Sequence, residues 1–190
     1  MKNALIVSCS EKGTAFITQM LGEIPTIREI VTLEACNEAR RMLLKRDFDL
    51  VIVNAPLRAE TGESFSRDVA SKSVSQIILI VNADIFDAVA DACEGDGVLM
   101  VSKPVNKAVF WSSLKLAGAA HNRLKRMQTE NINLRQKIED VRIIDRAKLL
   151  IISILNMSEK EAHRYIEKQA MDLRISRREV AEGILRTYEQ

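Results

Sequence analysis

The sequence predicts a five-stranded, doubly wound parallel α/β domain, followed by one long helix and a small helical module. Over the first 110 residues, short continuous apolar segments rich in Val and Ile alternate with amphipathic segments. That alternation is typical of strands buried on both faces of a parallel sheet. From residue 106 to 146 only helical periodicity is present, with no Pro or Gly after Gly118.

Each strand is predicted from one apolar segment and each helix from the segment that follows it. We expect strands at 4–9, 27–33, 50–54, 77–81 and 98–101, and helices at 14–21, 35–45, 63–71 and 85–92. In the second helix Ala39, Met42 and Leu43 recur at i, i+3 and i+4, which predicts a core-facing stripe. The carboxyl ends of the strands form the functional edge of such a sheet.

The composition excludes several classes of protein. The three cysteines, Cys9, Cys36 and Cys93, are odd in number and widely spaced, so neither a disulfide framework nor a zinc site is expected. No apolar segment approaches the roughly 20 residues of a membrane span. We therefore expect a soluble cytoplasmic protein with no metal, no cofactor and no membrane partner.

The net charge of +2 is unevenly distributed. Residues 1–110 carry twelve basic and fifteen acidic side chains, whereas residues 111–190 carry sixteen and eleven. A basic second half is consistent with a polyanionic partner, although a solvated helical surface gives the same balance.

The long helix carries a heptad pattern that predicts a parallel two-stranded coiled coil. An Asn at one a position commonly sets the register of such a dimer. Between the two helices Glu130 would face Arg135, which attracts, and Lys137 would face Arg142, which repels. The alternative is a single amphipathic helix packed on its own domain. The predicted dimerisation seam consists of Leu124, Met127, Asn131, Leu134, Ile138 and Val141.

The last 45 residues are predicted to form three helices, of which the first continues the long helix to about residue 155. Ser158 with Glu161, and Ser176 with Glu179, form two capping boxes that mark the starts of the other two helices. One face of the second helix is expected to pack through Ala162, Tyr165, Ile166, Ala170 and Leu173. One face of the third is expected to pack through Val180, Ala181, Ile184, Leu185 and Tyr188.

The first 115 residues resemble the receiver domain of two-component response regulators. The matching segments are FDLVIVNAP at 48–56, ILIVNAD at 78–84 and VSKP at 101–104. In that family an aspartate ending the third strand accepts a phosphoryl group, and an acidic pair after the first strand binds magnesium. A Thr or Ser ends the fourth strand and a Lys before Pro ends the fifth. At these positions this chain has Asn54, the pair Ser8 and Cys9, Asn82, and Lys103.

Only the lysine of that set is retained, and Met100 stands at the position of the family's switch aromatic residue. An amide is a poor nucleophile, and a hard dication without carboxylates lacks its oxygen ligands. The resemblance therefore implies a pseudo-receiver with a degenerate phosphorylation site, serving as a scaffold for dimerisation or for a regulatory protein partner. Either the altered pocket holds a small anion or polar ligand, or its polar groups only satisfy one another.

Residues 142–189 resemble an ANTAR domain. The matching segments are SEKEAHRYIEKQAMD at 158–172 and SRREVAEGIL at 176–185. The resemblance implies a transcription antitermination regulator, not an enzyme, whose dimer binds paired stem-loops in a nascent leader RNA so that the terminator hairpin does not form. We accordingly predict a pseudo-receiver at 1–115, a coiled-coil linker helix at 116–144 and an RNA-binding ANTAR domain at 145–190.

The basic residues of the tail are the candidate RNA contacts. Arg164 and Lys168 share one face of their helix, whereas Arg174, Arg177 and Arg178 cluster where the next helix begins, a position that favours phosphate. Two other functions remain open. Capped helices joined by a short turn also describe a DNA-binding helix-turn-helix, and a basic tail can instead bind an acidic protein as an adaptor.

Overall fold

A computed structural model describes residues 1–188, so residues 189 and 190 of the predicted tail domain lie outside the described part of the chain. The chain divides into two compact units, Met1–Arg126 and Met127–Gln190. The strands of the first unit are β1 (Asn3–Ser8), β2 (Glu29–Leu33), β3 (Leu50–Asn54), β4 (Gln76–Asn82) and β5 (Leu99–Lys103).

Four helices lie between or beside these strands, and a long helix leads into the second unit. They are α1 (Glu11–Gly22), α2 (Cys36–Lys45), α3 (Gly62–Lys72) and α4 (Phe86–Glu94), the last preceded by a 3-10 turn at Ala83–Ile85. The long helix α5 (Lys107–Leu155) is followed by α6 (Glu159–Leu173) and α7 (Arg177–Tyr188).

The sheet has the order β2-β1-β3-β4-β5, and all neighbouring strands are parallel. Alternate side chains enter two hydrophobic cores, one on each face. Leu5 packs in the core that includes Phe65 of α3, whereas Ile6 packs in the core that includes Phe110 of α5. Helices α2, α3 and α4 thus cover one face and α1 with the start of α5 covers the other. The predicted doubly wound fold class is confirmed.

Burial on both faces holds for the central strands but not for the edges. Every residue of β3 is buried, whereas in β2 no residue is buried and Glu29 and Thr32 are exposed. An edge strand has a neighbour on one side only, so water reaches its free side. The second strand also begins at Glu29 rather than at the predicted residue 27, since Ile27 still belongs to a turn in which its backbone N–H donates to the carbonyl of Ile24.

A buried histidine fastens the first part of α5 to the sheet. His121 is 4% exposed, and its Nε2 lies 3.2 Å from Oδ1 of Asp49, just before β3. Asp49 also accepts a hydrogen bond from the backbone N–H of Lys2. Burial acts to raise the pKa of Asp49, but the hydrogen bond from Lys2 together with nearby basic groups outweighs it, and the pKa is lowered.

The second unit has its own small core, in which α6 and α7 pack with the last part of α5. Ala162 and Ile166 of α6 meet Ala181 of α7 and Ile151 of α5 in this core. The prediction that Tyr165 is a core residue is wrong. It lies about 100° around the helix from Ile166 and is exposed.

The predicted packing faces of α6 and α7 also extend too far toward the C-terminal ends of these helices. Leu173 and Tyr188, the last described residues of these two helices, are exposed. In the part of the chain that the structure describes, no helix is both long enough and apolar enough to cross a bilayer.

Candidate functional sites

The carboxyl ends of β1 and β3 are joined directly by their side chains. Nδ2 of Asn54 donates a hydrogen bond of 2.9 Å to Oγ of Ser8. Oγ of Ser8 in turn donates to the carbonyl of Ser10 at 3.3 Å. Ser10 caps the N-terminus of α1 by accepting from the backbone N–H of Gly13 at 3.2 Å. The end of the sheet and the first turn of α1 therefore form one hydrogen-bonded group.

Lys103, at the end of β5, points toward the same group. Its Nζ donates to the carbonyl oxygen of Ala55, the residue after Asn54. Burial lowers the pKa of Lys103 from its ordinary value. Lys103 thus bonds a backbone carbonyl rather than the side chain of Asn54.

A pocket of about 380 Å³ opens at this edge of the sheet. Of the residues that line it, the sequence analysis singled out only Asn54 and Lys103. Ser10, Lys12 and Gly13 line it as well, and the other lining residues are Phe16, Ile17, Ile80, Pro104 and Val105. A glycine shortly after a strand gives a weak sequence signal. The tertiary structure shows why the residue is glycine, because a Cβ at position 13 would lie 2.3 Å from Nδ2 of Asn54.

Two of the expected site residues lie apart from this pocket. Sγ of Cys9 donates to the carbonyl oxygen of Glu34 at 3.4 Å, on the side of β2. Asn82 is exposed at the end of β4, in register with Lys103, but does not line the pocket. The described residues contain no group of three or more His, Cys, Asp or Glu side chains placed to hold a metal ion.

The predicted seam forms an exposed stripe on α5. The side chains of Leu124, Met127, Leu134, Ile138 and Val141 are all exposed, as is Asn131.

Both predicted capping boxes are confirmed. Oγ of Ser158 accepts from the backbone N–H of Glu161, whose carboxylate accepts from the backbone N–H of Ser158. Ser176 and Glu179 make the same reciprocal pair at the start of α7. The hydroxyl and backbone N–H of Ser158 both donate to the carboxylate of Glu161 and lower its pKa, and the backbone N–H and hydroxyl of Ser176 do the same for Glu179.

The five basic candidates of the tail fall into two groups by their contacts. Arg164, Lys168 and Arg174 are exposed and, among the described residues, make no ion pair. Arg177 places Nη1 3.2 Å from Oε1 of Glu167. Arg174 also has a left-handed backbone conformation, with φ of 55°, at the end of α6.

Arg178 is held by two carboxylates from different helices. Its Nε donates to Oε1 of Glu182 at 2.8 Å and its Nη1 to Oδ1 of Asp140 at 2.7 Å. The hydrogen bonds to Glu182 and Asp140 raise the pKa of Arg178, and those from Arg178 and Gln136 lower the pKa of Asp140. Arg178 therefore ties α7 to α5, a contact that the sequence spacing did not predict.

Comparison with known proteins adds independent findings. Residues 133–185 match the ANTAR domain family. The transcriptional regulatory protein PdtaR of Mycobacterium tuberculosis (strains CDC 1551 / Oshkosh and ATCC 25618 / H37Rv) is 26% identical over 139 residues, which is 73% of this chain and 68% of PdtaR.

Solved structures of receiver domains are similar to the first unit. The signal receiver domain of an HD domain-containing protein from Pseudomonas fluorescens Pf-5 aligns with a TM-score of 0.57 at 21% identity, covering 66% of this chain and 93% of that one. A response regulator receiver domain protein from Clostridium thermocellum aligns with a TM-score of 0.56 at 19% identity, covering 67% and 99%. At 19% to 21% identity, this similarity shows a shared fold and nothing about function.

Proposed function

We propose that this chain, an ANTAR response regulator of the antitermination type whose N-terminal domain has the receiver fold, binds paired stem-loops in leader RNA as a homodimer. ANTAR response regulators are regulatory proteins rather than a class of enzyme. Within that family, we take residues 1–115 as the pseudo-receiver, 116–144 as the coiled-coil linker and 145–190 as the RNA-binding domain.

The observation that carries RNA binding is a set of cations on the second unit that have no carboxylate partner among the described residues. Arg164 and Lys168 lie one turn apart on the exposed side of α6, and Arg174 follows at its end. A cation that is not neutralised by a neighbouring carboxylate remains available to a phosphate. Met171, 78% exposed between Lys168 and Arg174, adds an apolar surface on which an unstacked base can rest.

Arg177 and Arg178 support the proposal differently, because both already have carboxylate partners. Arg177 is exposed at the N-terminus of α7, where first-turn N–H groups also attract phosphate. To contact a phosphate, Arg177 would have to break only its ion pair with Glu167. Arg178 would have to leave two carboxylates, so we assign it chiefly to holding α7 against Asp140.

Dimerisation rests on the seam of α5. Two copies in parallel register would cover the exposed apolar residues of both helices and bring two RNA-binding domains together, one for each stem-loop. The input to this regulator is not aspartyl phosphorylation. The polar group of Asn54 and Ser8 supports this assignment, because it offers neither an acceptor carboxylate nor a magnesium ligand set.

A gel-shift experiment with a two-hairpin leader RNA and a duplex DNA of equal length tests the proposal. We expect binding to the RNA and not to the DNA. Replacing Arg164 and Lys168 by Ala should weaken discrimination between correct and altered loops by about 1–3 kcal/mol if a base edge is read. Lys160→Ala, an exposed lysine in the first turn of α6, is the matched control.

The variant Arg177→Ala separates phosphate contacts from base contacts, because Arg178→Ala would also release α7 from Asp140. It should weaken binding to all RNA sequences about equally, and it should flatten the salt dependence by a slope of roughly 0.7 for each phosphate that is no longer neutralised. Tight binding to duplex DNA alone would show a DNA-binding regulator instead. Loss of all nucleic-acid affinity with an acidic protein still bound would show an adaptor.

A further inference from the structure

The pocket between α1 and the ends of β3 and β5 is positively charged, whereas a magnesium site is lined by negatively charged carboxylates. Its charged lining residues are Lys12 and Lys103, and no carboxylate is among the described residues that line it. Glu11, the acidic residue closest in sequence, lines a different hollow with Thr14, Thr32 and Glu34. Among the described lining residues the two lysines carry the only charges, so the pocket favours an anion over a cation.

Lys103 places an incompletely neutralised ammonium group in this pocket. It is half-buried and, among the described residues, makes no ion pair. An ammonium group has three N–H donors. One of them is given to the carbonyl of Ala55, which carries no net charge. A partly desolvated cation without a counter-charge is costly, and a bound anion would relieve that cost.

Asn54 adds a rigid and almost completely buried donor. It is 5% exposed and lines the pocket, and only one N–H of its amide is needed for the hydrogen bond to Ser8. Gly13 allows the first turn of α1 to come this close to the amide, since any Cβ there would collide with Nδ2. Of the first-turn amides of α1, that of Gly13 already donates to Oγ of Ser10, which leaves those of Glu11 and Lys12 to favour a negative charge.

We propose that this pocket binds a free tetrahedral oxyanion of the phosphate class, held by Lys103, Asn54 and the first turn of α1. The anion is bound reversibly and not attached to the chain, because the amide of Asn54 does not form an acyl phosphate. Either inorganic phosphate or the phosphoryl end of a small metabolite supplies this chemistry. The pocket thus gives the first unit a ligand-dependent input without phosphorylation.

Titration calorimetry on the full chain tests the proposal, with inorganic phosphate as one probe and O-phosphoserine as the other. The reference is sodium chloride at matched ionic strength. We expect saturable heat from at least one of the two probes. Heat from inorganic phosphate alone identifies the free ion as ligand, whereas tighter binding of O-phosphoserine identifies a metabolite. No heat above the chloride reference from either probe overturns the proposal.

Variants distinguish this pocket from the basic tail, which also attracts anions. Lys103→Met should lower the affinity at least about tenfold, and Lys103→Arg should restore most of it. Lys115→Met removes an exposed lysine of α5 outside the pocket and should leave the affinity unchanged. Equal affinity in wild type and in Lys103→Met, with both folded by circular dichroism, overturns the proposal.

A second readout keeps the test valid if Lys103→Met unfolds. The backbone amide resonance of Gly13, at the pocket wall, should shift on adding phosphate to the wild-type chain, and the resonance of Gly22 at the far end of α1 should not. Equal shifts at both glycines would show nonspecific anion association and contradict the proposal.

Discussion

The amide of Asn54 at the carboxyl end of β3 donates a 2.9 Å hydrogen bond to the hydroxyl of Ser8 at the carboxyl end of β1. These strand ends are paired in register, Ser8 opposite Asn54. In a receiver domain the same two positions carry the phosphoacceptor and a magnesium ligand. Here one N–H of the Asn54 amide is bound to Ser8, and burial protects that hydrogen bond from water.

This pair leads to a prediction about phosphorylation. Acetyl phosphate with magnesium should leave the intact mass of the wild-type chain unchanged. Asn54→Asp should also remain unmodified, because Ser8 and Cys9 supply no carboxylate for the metal. The triple variant Ser8→Asp, Cys9→Asp, Asn54→Asp is the positive control. It restores both the phosphoacceptor and the carboxylates for the metal, so we expect it to be phosphorylated. Stoichiometric phosphorylation of the wild type, measured by mass spectrometry, would contradict the pseudo-receiver assignment.

Gly13 should be intolerant of substitution. Gly13→Ala places a Cβ 2.3 Å from Nδ2 of Asn54, so we expect the free energy of unfolding to fall by about 1–3 kcal/mol. Gly22→Ala is the matched control at the other end of α1, where a Cβ meets nothing within 4 Å. In an Asn54→Ala background the penalty at Gly13 should largely disappear. A full penalty there would mean that the collision lies elsewhere.

Leu134→Glu should convert the chain to a monomer. In a dimer it would bring two carboxylates into an apolar seam, where the charged forms resist burial. Ile132→Glu is the matched control, since both side chains are 59% exposed in one chain but Ile132 lies off the seam. Sedimentation should show a monomer only for Leu134→Glu, with helical content retained. A dimer that survives this change would place the dimer contact in the first unit.

Ser158→Ala should destabilise the second unit by about 1 kcal/mol, because the N-cap hydrogen bond to the first turn of α6 is removed. Thermal unfolding followed by circular dichroism measures this change. Ser153→Ala, on the exposed surface of α5, is the control and should have no such effect. An equal destabilisation at both positions would show that the cap contributes nothing.

The same capping box predicts an acid-dependent part of stability. Hydrogen bonds from the side chain and backbone of Ser158 lower the pKa of Glu161 from its ordinary value of 4.5. The stabilising contribution is therefore present above pH 4.5 and is lost as the pH falls through the lowered pKa. Ser158→Ala should unfold with a shallower dependence on pH below 4.5. An unchanged dependence would assign the acid sensitivity to other carboxylates.

Two substitutions at Arg174 separate the effect of its backbone strain on stability from the effect of its side chain on RNA binding. Its φ of 55° is costly for a residue with a Cβ and free of cost for glycine. Arg174→Gly should raise the free energy of unfolding by about 0.5–1 kcal/mol and still weaken RNA binding. Arg174→Ala should weaken binding equally without the gain in stability. RNA affinity unchanged in both variants would remove Arg174 from the interface.

Local patterns were sufficient for much of this protein. Continuous apolar segments predicted all five strands, because hydrophobic burial in a central sheet depends mainly on the segment itself. The capping boxes at Ser158 and Ser176 were also predictable, since their partners lie three residues away. The bounds of the edge strands were less certain, because a strand with one neighbour has fewer contacts to define its end.

The arrangement of the candidate sites depended on contacts between distant parts of the chain. The sequence by itself placed Ser8, Asn54 and Lys103 at one edge of the sheet, since parallel strands end together. Only the tertiary structure decided that Cys9 turns toward Glu34, that Gly13 lies against Asn54, and that Arg178 reaches Asp140. Side-chain direction at a strand end or helix end follows from packing against neighbouring elements, and that packing is absent from any local pattern.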